Sequence, residues 1–341
     1  MSRGLVLLLV ITACGAPPSA AVEGSADADT SDVDAPDAGG VRDAGPSPTD
    51  DAGESDSGND AAVDAGTADA GARTIWVLFD AAHKNAVGNA NWVLDSQAPA
   101  PAPLHPTVET QWSGGISSWG FDLHATGRYE VRQLPVGVTL TFGGGGPGDL
   151  GAFDVFVTDE PEEPFTAGEQ AALLQFVEAG RGILFVADHA GAKRCTTCTE
   201  AWRVINAVLV TGSFADALGV HLDGNTIGQS GLNGTVTGSA HAAHFAAGPF
   251  GTASELSFHS GSSVSASANA AASVVVAAGG VGMMAASVLP SGGRVVVLGD
   301  SSPTDDGTCG SCGARLYDGW AEVSNANFIL NATAWAARDG S

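Results

Sequence analysis

The stretch FTAGEQAALLQFVEAGRGILFVADH, residues 165–189, combines a helix pattern with a buried-strand pattern. Thr166 and Glu169 form a capping box at the start of the helix, an apolar stripe covers 173–177, and Gly180 can end the helix. The run GILFV that follows is continuously apolar, which is typical of a strand buried on both faces of a parallel sheet. The stretch therefore predicts a helix packed beside a central strand.

Strand and helix patterns alternate along residues 73–341, which are long enough to form one large domain. Their order predicts an α/β three-layer sandwich with a mostly parallel sheet. The 273–299 meander predicts an antiparallel extension at one edge. Residues 211–272 hold few apolar runs, so we expect a Gly/Ala/Ser-rich surface insertion there, with short strands at best. Strands are predicted at 74–80, 129–134, 153–161 and 182–189 and three times within 272–302, and helices at 117–127, 165–180, 199–210 and 325–337.

The chain begins with the pattern of an export signal. Arg3 precedes the apolar run LVLLLVI, residues 5–11, which is too short to cross a bilayer. The following ITAC is similar to the bacterial lipobox. We therefore expect residues 1–13 to be removed and Cys14 to carry the lipid anchor, and an ordinary signal peptide with a chance cysteine is the alternative. More than one acyl chain gives stable anchoring, which predicts a lipoprotein of the cell envelope that meets the membrane through its anchor alone.

Residues 14–72 consist mainly of Asp, Ala, Gly, Ser and Pro. Such a segment cannot bury enough apolar surface to offset chain entropy, so a disordered acidic tether is predicted. The whole chain has a formal net charge of −25 and only two lysines, Lys84 and Lys193. Because binding to phosphates needs clustered Lys and Arg, a nucleic-acid partner is not expected.

Polar residues stand where four of the predicted strands end. Because the carboxyl ends of parallel strands meet at one edge of a sheet, we expect these side chains to converge where open α/β folds bind ligands. Carboxylates and imidazoles drawn from separate strands can hold a metal ion and can also perform acid–base chemistry. The residues are Asp80, His83, Asp159, Glu160, Asp188, His189, Asp300, Ser301 and Ser302.

Asp188 and His189 are the candidate catalytic residues because both follow the buried strand of the opening stretch. A divalent metal ion, Zn²⁺ or Ca²⁺, is the expected cofactor, and no nucleotide cofactor is expected. A simpler interpretation is that Asp80 and Asp300 cap turns and that histidines such as His259 are hydrogen-bonded without a ligand. The expected metal ligands are Asp80, His83, Asp188, His189 and Asp300.

Four cysteines remain once Cys14 is assigned to the lipid. In an exported protein an even set favours disulfides, and a zinc site built from the two C-x-x-C pairs is the alternative. The connectivity has three possibilities and stays open. The four are Cys195, Cys198, Cys309 and Cys312.

The order of elements resembles the class I glutamine-amidotransferase-like fold, which is flavodoxin-like, in its trehalose-utilisation-type branch. The resemblance rests on IWVLFD, on FDVFVTDEP with the opening stretch, and on GGRVVVLGDSS before a helix. It implies the sandwich fold over about 74–337. Amidotransferases carry a cysteine nucleophile after the strand that corresponds to 183–187, where this chain has ADHAG, so a glutaminase is not implied.

Three classes of function follow from these patterns. The first is a hydrolase, metal-assisted or not, in which Asp188 and His189 orient water or the ion. The second is a non-catalytic domain that binds a small molecule or a glycan, and the third is a structural surface protein. Ser301 in GDSS is similar to the nucleophile of lipase-like hydrolases, but their block follows the first strand rather than a late one. Stacking surfaces for a glycan could come from Trp112, Trp119 and Trp320.

Overall fold

The computed structural model describes residues 73–89, 91–97, 99–210, 214, 218–268, 271–308 and 317–339. The predicted signal segment 1–13, the predicted tether 14–72 with Cys14, and the pair Cys309 and Cys312 lie outside these residues. Among the residues described, no helix has the length and the apolar character needed to cross a membrane.

A nine-stranded sheet runs through the domain in the order β2-β1-β3-β4-β13-β12-β11-β6-β9. The strands are β1 Ile75–Asp80, β2 Tyr129–Leu134, β3 Val155–Asp159, β4 Gly182–Val186, β5 Val220–Leu222, β6 Leu232–Val236, β7 Ala247–Gly248, β8 Gly251–Thr252, β9 Glu255–Phe258, β10 Val264–Ala266, β11 Ala272–Ala278, β12 Val281–Val288 and β13 Arg294–Leu298. The helices are α1 Ser117–Ala125, α2 Ala167–Glu178, α3 Ala201–Leu209, α4 Ala242–Ala246 and α5 Asn325–Ala337.

Five neighbouring strands, from β2 to β13, are parallel to one another. All five residues of β4 are buried, and alternate side chains pack on opposite faces of the sheet. Leu184 and Val186 join the core layer that includes α1 and α5, whereas Ile183 and Phe185 join the layer that includes α2 and α3. Helices therefore cover both faces, and the predicted three-layer α/β sandwich with a mostly parallel sheet is confirmed.

The predicted capping box sets the start of α2. The Glu169 backbone N–H donates to Thr166 Oγ1 at 3.3 Å, and the Thr166 backbone N–H donates to Glu169 Oε2 at 2.9 Å. These bonds satisfy two groups that have no partner within the helix. The helix then buries Leu173, Phe176 and Val177 against the sheet.

The antiparallel part of the sheet is larger than an edge meander. β13 lies inside the sheet, parallel to β4 and antiparallel to β12, and β11, β6 and β9 continue the antiparallel half. Gly279 and Gly280, with φ of 55° and 86°, form the turn between β11 and β12. The antiparallel extension is confirmed, but it spans four strands beyond β13.

The expectation of a surface insertion at 211–272 is wrong for its described residues. Two of its strands, β6 and β9, belong to the main sheet, and Phe245, Leu256 and Phe258 are fully buried. Its small residues allow close packing, because a Cβ built on Gly234 would lie 2.3 Å from Met283 Sδ. The low apolar content of this segment therefore indicated close packing rather than exposure.

Candidate functional site

The parallel strands deliver buried acids to one edge of the sheet. Asp80 ends β1, Asp159 ends β3, and Asp188 and Asp300 lie two residues beyond β4 and β13. All four are at most 4% exposed. Glu160 follows Asp159 directly. The carboxyl edge is therefore as acidic as the sequence predicts.

Asp188, His189 and Asp300 line one cleft of about 250 Å³, which we call the central cleft. These three residues were expected to lie together, and the structure brings them to one cleft. Loop residues and aromatic rings complete the walls. The lining consists of Trp92, Asp188, His189, Arg194, His259, Ser260, Asp300, Ser301, Ser302 and Tyr317.

Asp80 and His83 do not line the central cleft. The Asp80 carboxylate accepts a bond of 2.9 Å from His83 Nδ1 and one of 2.8 Å from Thr158 Oγ1. His83 Nε2 lies 3.3 Å from Glu169 Oε1, so the ring is held between two carboxylates. Burial lowers the pKa of His83, but the attraction of Asp80 and Glu169 outweighs it and the net shift is upward. This pair ties β1 to α2.

The expected five-ligand metal site is therefore wrong as a single site. Two groups of three metal-ligating atoms, each within 4.8 Å of one another, occur in the described part of the chain, and neither contains Asp80, His83, Asp188, His189 or Asp300. The strand ends share an edge, but the loops after them turn Asp80 and His83 toward α2 and Asp188 and Asp300 toward the cleft.

Arg194 lines the central cleft and donates hydrogen bonds to two acids. Its Nε donates to Glu160 Oε1 at 2.9 Å, and its Nη2 donates to Asp188 Oδ2 at 3.0 Å. Ser301 Oγ donates to Glu160 Oε2 at 3.3 Å. Glu160 is 1% exposed and has a φ of 45°, in the left-handed region that non-glycine residues rarely adopt. Strained residues of this kind cluster at functional sites.

Burial and mutual repulsion raise the pKa of several acids of this edge. The pKa of Asp188 is raised well above its usual range by burial and by repulsion from Glu160 and Asp300, and Arg194 offsets only part of this. Burial also raises the pKa of Asp300, against hydrogen bonds from Ser302 and from the His259 backbone. The pKa of Asp159 is raised well above its usual range, chiefly by burial.

Two further acids of the same edge have pKa values near neutral pH. Burial raises the pKa of Glu162 to about 7 and that of Asp305 to about 7. Glu162 Oε2 and Asp159 Oδ1 are buried and have no hydrogen-bond partner among the described residues. An unpartnered buried carboxyl oxygen is easier to accommodate in the protonated, neutral form.

Two imidazoles line the central cleft, each with one ring nitrogen engaged. His189 Nδ1 donates to the Ala190 carbonyl at 2.7 Å, which leaves Nε2 as the acceptor. His259 Nε2 lies 3.0 Å from Glu322 Oε2 and 2.5 Å from Tyr317 Oη. Because an ionised carboxylate can only accept, Nε2 carries the proton in the His259–Glu322 bond and Nδ1 is left as the acceptor.

The sequence favoured a hydrogen-bonded role for His259 over a functional one, and nothing in it singled out Arg194, Tyr317 or Glu322. Their positions come from loops and from the segment before α5, where no periodic pattern marks them. Glu160 carried one usable signal, since it directly follows a buried strand. The orienting carboxylate of His259 lies 63 residues further along the chain, so spacing could not reveal it.

Among the described residues, a disulfide joins Cys195 to Cys198, with an S–S distance of 2.09 Å. Of the three connectivities left open, this one closes the loop beside the central cleft on itself. The loop is also held by Glu162 Oε1, which accepts from the Arg194 backbone N–H at 2.5 Å. Both features fix the backbone next to the Arg194 side chain.

No protein-family model matches the chain, and no curated protein sequence matches it. Solved structures do resemble it. The mmIFT52 N-terminal domain is 15% identical with a TM-score of 0.50, and the match covers 78% of this chain and 99% of that one. A cytoplasmic protein of Salmonella typhimurium LT2 is 14% identical with a TM-score of 0.45, covering 77% and 99%. A ThuA-like protein of Parabacteroides merdae is 11% identical with a TM-score of 0.44, covering 78% and 90%. At 15% identity, the likeness to the mmIFT52 N-terminal domain shows a shared fold and nothing more.

Proposed function

We propose that the chain is an exported, lipid-anchored hydrolase whose active site is the central cleft. One observation carries the proposal. A buried acid with a raised pKa, Asp188, lines the same cleft as two imidazoles that each keep one ring nitrogen as an acceptor. A proton donor and a proton acceptor in one cleft are what acid–base hydrolysis of a polar bond requires.

In the proposed reaction His259 Nδ1 takes a proton from water, and the resulting hydroxide attacks the substrate. Asp188 gives its proton to the leaving group. Glu322 holds the His259 ring and stabilises the imidazolium that forms, as carboxylates do in other His-acid pairs. Arg194 acts as a positioning residue, because its bond to Asp188 fixes the direction of the carboxyl.

A metal-assisted form of this reaction would use Asp188, His189 and Asp300 as donors to Zn²⁺ or Ca²⁺. Their donor atoms do not form a group within 4.8 Å of one another among the residues described. Binding an ion would need side-chain rearrangement, whereas the acid–base reaction needs only groups that already line the cleft. We therefore favour the acid–base reaction and use metal analysis to separate the two.

A non-catalytic binding domain is the second candidate, and Trp92 favours it. Its Nε1 is buried and has no hydrogen-bond partner among the described residues, and the ring lines the central cleft. That N–H could donate to a hydroxyl of a glycan or small molecule. The expected stacking surfaces Trp112, Trp119 and Trp320 are buried at 8% exposure or less and do not line the cleft.

The test is a hydrolase panel of esters, amides, glycosides and phosphoesters, run with metal analysis of the purified protein. Asp188→Asn and His259→Asn should each lower kcat on the hydrolysed substrate by about 10²–10⁴-fold. The matched controls are Glu163→Gln, at a half-exposed acid, and His221→Ala, at an exposed histidine. Retention of a glycan without turnover of any substrate would reject the hydrolase in favour of the binding domain.

The anchor is tested separately. Cys14→Ser should release the protein from the membrane fraction or leave its signal uncleaved, because the acyl chains would have no attachment site. Fatty-acid labelling and membrane association that persist in Cys14→Ser would reject the lipoprotein assignment without bearing on the cleft.

A further inference from the structure

A second cluster of metal-ligating side chains lies away from the central cleft, where α1 leads into β2. His124 is in the last turn of α1, Glu130 is the second residue of β2, and His105 comes from the preceding loop. One ligand atom from each residue lies within 4.8 Å of the other two. The connection from α1 to β2 is short and turns at Gly127, with a φ of 70°. Helix end and strand start are therefore held close together.

The spacing within this cluster suits an ion better than a direct hydrogen bond. His105 Nδ1 lies 3.8 Å from Glu130 Oε2, which is beyond hydrogen-bond distance. The rings of His105 and His124 have centroids 5.2 Å apart. Two ligand atoms at Zn²⁺ distances of about 2.0–2.2 Å on a tetrahedral ion stand about 3.4 Å apart. A shift of a few tenths of an ångström would bring the first pair to that separation.

The cluster also contains a polar atom without a partner. His124 Nδ1 is buried and makes no hydrogen bond among the described residues. Buried ring nitrogens are normally paired, so this orphan calls for an explanation such as an ion or a bound water. An ion is the explanation that the neighbouring ligand atoms of His105 and Glu130 support.

His105 and Glu130 are both held in place. The Pro103 carbonyl accepts from Trp112 Nε1 at 2.8 Å, which anchors the loop two residues before His105. Arg132 Nη1 donates to Glu130 Oε2 at 3.2 Å. Carboxylates that bind metals usually accept such an outer bond, although the positive charge of Arg132 also weakens the attraction of the site for a cation.

We propose that His105, His124 and Glu130 bind a divalent transition-metal ion, with Zn²⁺ the best match. Two imidazoles and one carboxylate are a three-ligand zinc set that leaves the fourth position to water. Ca²⁺ and Mg²⁺ prefer oxygen ligands and should bind weakly here. The ion would join the loop around His105 to α1 and to the edge strand β2.

The test is a Zn²⁺ titration of the purified full chain by calorimetry under non-reducing conditions, with a parallel thermal melt. The wild type should bind one equivalent that His124→Ala and Glu130→Gln weaken by about 10²-fold or more, since even outer-shell partners contribute 10–100-fold. His105→Ala should do the same. Its side chain is 57% exposed, so this variant keeps the packing intact even if His124→Ala does not fold. Zn²⁺ should raise the melting temperature of the wild type and of the control His221→Ala.

Two results would overturn the proposal. One is a wild type that shows no saturable Zn²⁺ equivalent. The other is an equivalent that survives in all three variants and disappears in Asp188→Asn, which would place the ion in the central cleft instead.

Discussion

Replacing Arg194 by Met removes the cation that joins Glu160 to Asp188 and keeps most of the side-chain length. Arg194 makes three bonds: 2.9 and 3.3 Å to Glu160 and 3.0 Å to Asp188. Its side chain is 20% exposed, and the two acids are at most 6% exposed. The variant therefore leaves two acids in a nearly dry site without their cation.

The size of the effect follows from burial. Removing one partner of a buried ion pair costs about 3–5 kcal/mol when the other charge stays unpaired. Because the raised pKa of Asp188 lets this acid stay neutral once the cation is gone, we expect the lower limit, about 3 kcal/mol near pH 8. For a domain of this size that corresponds to a fall in melting temperature of about 6–12 °C. Near pH 5 Asp188 takes up a proton more readily, and the fall should be smaller.

Thermal melts of wild type and Arg194→Met at pH 5 and pH 8, followed by circular dichroism, measure this difference. Arg203→Met is the matched control, because Arg203 is 59% exposed and pairs with Glu200 on the surface of α3. Such a surface pair contributes about 0–1 kcal/mol. The predicted role of the Arg194 cation is wrong if Arg194→Met loses no more stability than Arg203→Met, or if its loss of stability is equal at both pH values.

Two further predictions concern the same edge of the sheet. The free energy of unfolding should fall as the pH rises from about 4.5 to about 7, because Glu162 and Asp305, each with a pKa of about 7, keep protons in the folded state that the unfolded chain has already released. Urea titrations across this range test it, and Glu162→Gln should flatten the dependence; stability that rises through the window in the wild type would contradict the assigned direction. Gly261→Ala should cost about 1–3 kcal/mol, because its Cβ would lie 2.5 Å from Asp300 Cβ. Gly238→Ala, where a Cβ has nothing within 4 Å, should change stability by less than about 0.5 kcal/mol, and equal effects in the two variants would show that the Asp300 turn is not tightly packed.

The fold was predictable because its central strands are buried on both faces. GILFV is apolar throughout and RVVVL is apolar after Arg294, and an acid follows each run at the carboxyl edge, which is the signature of a parallel sheet. β6 and β9 were missed for the opposite reason. LNGTV and ELSF have few apolar residues, and what places them in the sheet is pairing with β11 and with each other. Pairing between distant segments leaves little trace in local composition.

The candidate site was predictable only as far as the strand ends. Asp188 and His189 follow β4, and Asp300 follows β13. These residues meet because β4 and β13 are neighbours in the sheet. Asp80 and His83 stand at an equivalent edge position, but bonds to Thr158 and the neighbouring Glu169 draw them away from the cleft. The direction of a side chain after a strand depends on hydrogen bonds of the loop, and the sequence does not show these bonds. The position of the Arg194 side chain also depends on such bonds, because its partners Glu160 and Asp188 follow two different strands.

The protonation of Asp188 can be measured without knowing the substrate. Carboxyl ¹³C NMR titration of the wild type, with Asp188→Asn used to assign the resonance, reports the pH at which this group ionises. The proposed acid requires that Asp188 stay protonated at neutral pH, and burial and the repulsion of Glu160 and Asp300 raise its pKa in that direction. Ionisation near the ordinary aspartate value of about 3.9 would contradict it and would leave the cleft without the proton donor that the proposed hydrolysis needs.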